Sequence, residues 1–202
     1  EEMKELSERG IPVGPGRLGL SERAHLIMPY HTAIDMARER AKGGSKIGTT
    51  GRGIGPCYED KVARVGIRAL DLTEPDVLEE KIMQNLKEKN FYLASFLGAE
   101  PLEPQPIVER YRFFSQALAP FLVDVSAELD EANRKNENIL FEGAQGTHLD
   151  VDYGTYTFVT SSNPVAATAC VGAGIGPKAL DSIVGIVKAY TTRVGSGPFV
   201  SE

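Results

Sequence analysis

The sequence has no tryptophan, only two cysteines and only three histidines in 202 residues. Cys57 and Cys170 make no disulfide framework, so a reducing cytoplasm is the expected setting. His25, His31 and His148 lack metal-ligand spacing among themselves and with those thiols, and no metal site is read from them. Positive charge is in short supply: 22 Lys and Arg against 28 Asp and Glu leave a net charge of −6. That balance argues against a nucleic-acid binder, while leaving room for a small basic pocket. No apolar run approaches membrane-span length and no basic-then-apolar leader opens the chain, so no membrane partner is expected. Internal repeats, low-complexity segments, a Ser-His-Asp set and a convincing carboxylate pair are also missing. What is there, 42% hydrophobic and 25% charged residues, is ordinary for one globular domain or a piece of a larger one. Both ends read as cuts, the first within a helix and the last just past a motif.

One stretch organises the rest: Ile47-Gly-Thr-Thr-Gly-Arg-Gly-Ile-Gly-Pro-Cys-Tyr-Glu-Asp-Lys-Val-Ala-Arg64. Its glycines remove the Cβ atoms that would hold a ligand off the backbone. Thr49 and Thr50 bring hydroxyls. Gly55-Pro56 reads as a helix start, with proline at the first helical position and Glu59 and Asp60 near the positive end. Lys61 and Arg64, three apart, can leave one face of that helix. The stretch reads either as an ordinary turn or as a receptor for an anion, most naturally a phosphate. It is neither a Walker A loop nor a dinucleotide fingerprint.

Two further turns use the same device. Asn138-Ile-Leu-Phe141 predicts a strand running into Gly143-Ala-Gln-Gly-Thr147, where Gln145 offers an amide donor and acceptor. Val159-Thr-Ser-Ser-Asn163 offers hydroxyls, of which Thr160 or Ser161 can instead cap a helix. Leu26-Ile-Met28 and Ser182–Tyr190 predict buried strands, the latter delivering Thr191, Thr192 and Arg193 to the same edge. Helices are expected over 1–9, 31–42 (stripe Ile34, Ala37, Ala41), from a Thr73–Asp76 capping box (stripe Leu78, Ile82, Leu86, Leu93), and from Ile107 to Leu129 with a break at Pro120. Phe91, Tyr92, Phe96, Tyr111, Phe113 and Phe114 are expected in the core, and His25 and His31 as packed or capping residues. Val171–Gly176 is too rich in glycine for a good helix. The class is α/β: a mostly parallel sheet with flanking helices and a helical insertion near 73–136.

These residues also carry a likeness. Gly53-Ile-Gly-Pro-Cys-Tyr-Glu-Asp-Lys-Val-Ala-Arg64 resembles a signature of adenylosuccinate synthetase, a GTP-dependent ligase of purine synthesis, with every fixed position met. Phe141-Glu-Gly-Ala-Gln-Gly-Thr147, Asp150–Thr155, Val159–Asn163 and Lys188–Phe199 resemble the same family, so the likeness spans nearly the whole chain. It implies that residues 1–202 are the central part of one partial P-loop-NTPase-like domain. It implies ligation of IMP and L-aspartate driven by GTP, with Mg2+ as cofactor. By matching position it assigns Thr50, Gln145, Thr160 and Arg64 to IMP, with Arg64 reaching the neighbouring subunit's site in a homodimer. Lys61 matches the signature's active-site lysine. The family's catalytic Asp and His, its magnesium loop, its aspartate-binding loop and its guanine-reading segment match nothing here. The piece alone is therefore expected to be inactive. The alternative is a non-catalytic core with a generic phosphate pocket.

Overall fold

The computed structural model describes residues 2–45, 48–190, 192, 197 and 199. Helix α1 spans Glu2–Glu8 and strand β1 Leu20–Ser21. Then come α2 (Pro29–Ala41), α3 (Ile54–Ala63), α4 (Pro75–Phe91) and α5 (Pro104–Leu118). Strand β2 (Leu122–Val123), α6 (Val125–Arg134) and α7 (Thr168–Ala173) complete the order. β1 and β2 pair in parallel, Leu20 facing Leu122 and Ser21 facing Val123. The described chain is a helix-rich, partial α/β domain with a small parallel sheet.

The core follows the apolar stripes. Leu78, Ile82 and Leu86 of α4 meet Ile107, Val108 and Tyr111 of α5, with Met28, Tyr30, Ile67 and Leu72 closing the cluster. Leu93 packs in a second cluster with Ile34 and Ala37 of α2. Burying each such side chain contributes about 1.5–3 kcal/mol. Pro120 does break the second helical pattern: α5 gives way to a short 3-10 turn, Ala119–Phe121, before β2 and α6. Asp124 caps α6 by accepting from Ser126 N–H at 3.0 Å and Ala127 N–H at 3.3 Å.

Several expectations change. α3 begins at Ile54, so Pro56 sits third rather than first, and Glu59 and Asp60 lie beyond the opening turn. Thr73 does not box α4; its hydroxyl donates to Leu70 C=O at 2.8 Å and closes the preceding 3-10 turn. Ala41 is exposed, because α2 leaves the body before that residue. Phe91, Phe96 and Phe113 are 73%, 74% and 65% exposed; Phe91 and Phe113 lie off the stripe that α4 and α5 bury, and Phe96 ends the short turn Tyr92–Phe96 that follows α4. Val171–Ala173 does form helix; α7 ends where Gly174, at φ 70, comes within reach of the Ser126 hydroxyl, which donates to its carbonyl at 2.8 Å. The strands expected at 26–28, 138–141 and 182–190 are not formed. Leu26 instead donates its N–H to Ile67 C=O at 2.8 Å beside a single His25–Arg68 bridge. Residues 138–141 and 181–190 run without a neighbouring strand, and Ile186 is 96% exposed. A strand's backbone groups need a partner chain to bond, and none of the described residues supplies one there.

Candidate functional site

The glycine-rich loop is bedded on α2. Gly53 caps α3 at φ 78, and a Cβ on it would stand 2.7 Å from Thr32 N and 2.8 Å from the His31 carbonyl carbon. Only glycine satisfies both the left-handed backbone and the closeness of α2. The Gly53 N–H donates to the buried Asp35 Oδ2 at 2.9 Å, and the Gly48 N–H to Glu39 Oε2 at 3.0 Å. Gly51 N–H donates to Thr49 Oγ1 at 3.4 Å. These amides are therefore committed to the protein's own oxygens, not held open for an anion as the glycine pattern suggested. Thr49 accepts within its own loop, and both Thr49 and Thr50 are exposed.

A buried ionic cluster fixes α3 from below. Met28 N–H donates to His31 Nδ1 at 2.9 Å, so that nitrogen is an acceptor and Nε2 carries the proton. Nε2 then donates to Asp60 Oδ2 at 2.9 Å, and Lys89 Nζ lies 2.6 Å from Asp60 Oδ1. Burial pushes the Asp60 carboxyl up, but the hydrogen bonds from His31 and Lys89 outweigh it and hold the group below its usual range. His31 is thus a packed, capping histidine, as expected. Arg38 of α2 pairs with Glu59 and tightens the same contact. Lys61 is exposed, its Nζ 5.4 Å from the centre of the Tyr58 ring. Arg64 closes α3 in a left-handed conformation, φ 66, and is exposed. The Asp60 carbonyl accepts from Val65 N–H at 3.0 Å and Gly66 N–H at 3.1 Å, and Asn85 Nδ2 donates to Val65 C=O at 2.9 Å. Three hydrogen bonds, two to Asp60 and one from Asn85, hold that turn.

The other two bends lie side by side, the segment after the Gly143–Thr147 turn bonding to the Val159–Asn163 bend. Thr160 N–H donates to Leu149 C=O at 2.8 Å, and Val151 N–H to Ser162 C=O at 3.1 Å. Asp150, fully buried, accepts at Oδ1 from Asp152 N–H (2.9 Å), Tyr153 N–H (3.0 Å) and Asn163 Nδ2 (3.1 Å). Burial raises its pKa, but those donors prevail and hold it low. A Cβ on Gly143 would lie 3.9 Å from Pro164 O, and one on Gly55 3.2 Å from Ser161 Oγ. Residues 160–164 therefore run close to Gly143 and to the first turn of α3. Gln145 is exposed at φ 67, and Thr160 is half-buried. Among the described residues only Arg64, Asn136 and Gln145 are non-glycines at positive φ. Such strain persists where the surroundings enforce it and collects at working sites. Asn136 tolerates that region readily; arginine and glutamine do not.

Arg193 and Thr191, expected at the same edge, lie outside the described residues. The sequence reading missed Asp35 and Glu39, and placed Asp150 and Asn163 in motifs without reading the bond between them. Asp35 and Glu39 did leave a signal: two carboxylates one helical turn apart, beside the Ile34 and Ala37 stripe, just ahead of a glycine loop.

Residues 1–202 match the family model described as adenylosuccinate synthetase. The chain is 60% identical over 201 residues to the adenylosuccinate synthetase of Syntrophobacter fumaroxidans, covering all of this chain and 47% of that protein. It is 57% identical over 203 residues to that of Desulfotalea psychrophila, covering all of this chain and 46% of the relative. Among solved structures it is similar to fully ligated adenylosuccinate synthetase from Plasmodium falciparum, with TM-score 0.86 and 33% identity over 98% of this chain and 47% of that one. The chain spans about half the length of the curated relatives it matches.

Proposed function

The chain belongs to the adenylosuccinate synthetase family, and on that premise we propose that it is the IMP-holding centre of a GTP-dependent ligase joining IMP to L-aspartate. Residues 1–202 form, in this reading, the central part of one α/β domain with a helical insertion over about 73–136. GTP phosphorylates the purine 6-oxygen, and the aspartate amine then displaces that phosphate, a far better leaving group than hydroxide. The homodimeric, cytoplasmic setting belongs to the same proposal.

The observation that supports it is that residues 160–164, Thr160 among them, run close to both Gly143 and the start of α3. The exposed hydroxyl of Thr50, the amide of Gln145 and the hydroxyl of Thr160 are neutral donors and acceptors suited to sugar and base edges. Arg64 supplies the cation for the IMP phosphate, across the subunit boundary, and its guanidinium can grip phosphate in bidentate fashion. Lys61 stands three residues before it on the exposed face of α3 and adds positive potential. Among the described residues no group of three or more His, Cys, Asp or Glu side chains is gathered to hold a metal ion. In this reading the magnesium ligands of the enzyme are not among residues 1–202.

The test is IMP affinity in the family-length enzyme. T50A and Q145A are each expected to weaken IMP about tenfold, the loss of roughly one good hydrogen bond. The segment 1–202 alone is expected to turn over no IMP, aspartate and GTP. Weak, salt-sensitive binding of any phosphate, untouched by both changes, would favour a generic anion pocket instead.

A further inference from the structure

We infer that Asp35 and Glu39 are positioning residues that clamp the two ends of the Gly48–Gly53 loop and so fix where Thr50 presents its hydroxyl. The inference rests on the proposed IMP site. The two carboxylates are four apart on α2 and therefore share a face. Glu39 Oε2 takes the Gly48 N–H at 3.0 Å and Asp35 Oδ2 takes the Gly53 N–H at 2.9 Å. The loop between them is exposed at Thr49, Thr50 and Arg52, and three of its glycines hold positive φ: Gly48 at 79, Gly51 at 66 and Gly53 at 78. Glycines in that region surrender the most conformational freedom on ordering. An unclamped loop of this composition samples many shapes, and a hydroxyl carried on it meets its ligand in only a fraction of them. Apparent affinity falls by that fraction. A carboxylate accepting a backbone N–H is stronger than a neutral acceptor, so two of them supply the ordering. Asp35 is 7% exposed, which strengthens its bond further. Neither carboxylate needs to touch IMP; both act through the loop.

The experiment uses the family-length enzyme with E39A, E39Q, D35A and D35N, and T50A as the reference. E39A and D35A are expected to raise the KM for IMP about tenfold and leave that for GTP within twofold. E39Q and D35N keep an acceptor oxygen and are expected to recover most of the loss. Limited trypsin cleavage after Arg52 is expected to speed up in E39A and D35A and stay slow in E39Q and D35N. If D35A does not fold, E39A decides the matter, because its side chain lies on the surface end of the clamp. An effective T50A beside an E39A with normal KM for IMP and normal Arg52 cleavage overturns the inference alone. A T50A that leaves the KM for IMP unchanged overturns the proposed site, and this inference with it.

Discussion

At Gly53 and Asp60, single atoms decide whether the site keeps its shape. Gly53→Ala would place a methyl against the Thr32 amide at a φ that alanine resists. A loss of about 3 kcal/mol is expected, lowering Tm by roughly 6–12 °C in a thermal melt. Asp60 sets an acid limit. Its folded pKa lies below the ordinary 3.8, so its contribution is present above that value and disappears as pH falls through the folded one. D60N should flatten the acid side of a stability–pH curve measured by denaturant titration. Cys57 is inert in the folded protein: burial pushes its thiol to about 11, with Asp60 adding to the effect. A thiol reagent at pH 8 should label Cys57 only on unfolding.

Elements show what could be read in the sequence and what could not. The α4 stripe was legible because Leu78, Ile82 and Leu86 repeat at helical spacing and face α5. Leu86→Ala should cost about 2–5 kcal/mol, measured by denaturant unfolding. The break at Pro120 was legible because proline lacks the N–H that a continuing helix needs. The start of α3 was not, because Gly53 takes the capping position without a side chain to announce it. Asp35 was hidden for a different reason. A carboxylate inside a helix is most often solvated, and only the fold brings the Gly53 amide, 18 positions away, against it. Thr50, Gln145, Thr160 and Arg64 were singled out by pattern and family likeness; how residues 160–164 bond to the segment after the Gly143–Thr147 turn was not legible, because neighbours across folded loops leave no period in the chain. The strands expected at 138–141 and 182–190 are not formed among the described residues, since pairing requires a partner as well as β-branched residues.

For the whole molecule, surface is the telling quantity. The chain exposes 14250 Å², whereas a compact monomer of 21.9 kDa exposes about 9,300 Å². The exposed surface includes apolar side chains such as Leu140, Val184, Ile186 and Val187. In the family-length enzyme, amides of residues 181–190 are expected to exchange slowly with deuterium, and in the segment 1–202 within seconds. Fast exchange in both would show that this run never becomes a strand. Arg23 and Asp124, 101 positions apart, flank the two-rung ladder of β1 and β2. Bringing such distant ends together from an open coil carries an entropic penalty of about 4 kcal/mol, more than so short a ladder returns. The helices between must shorten that span before the strands meet, so the ladder is a late arrival on the folding route and the first pairing to come apart on the way out.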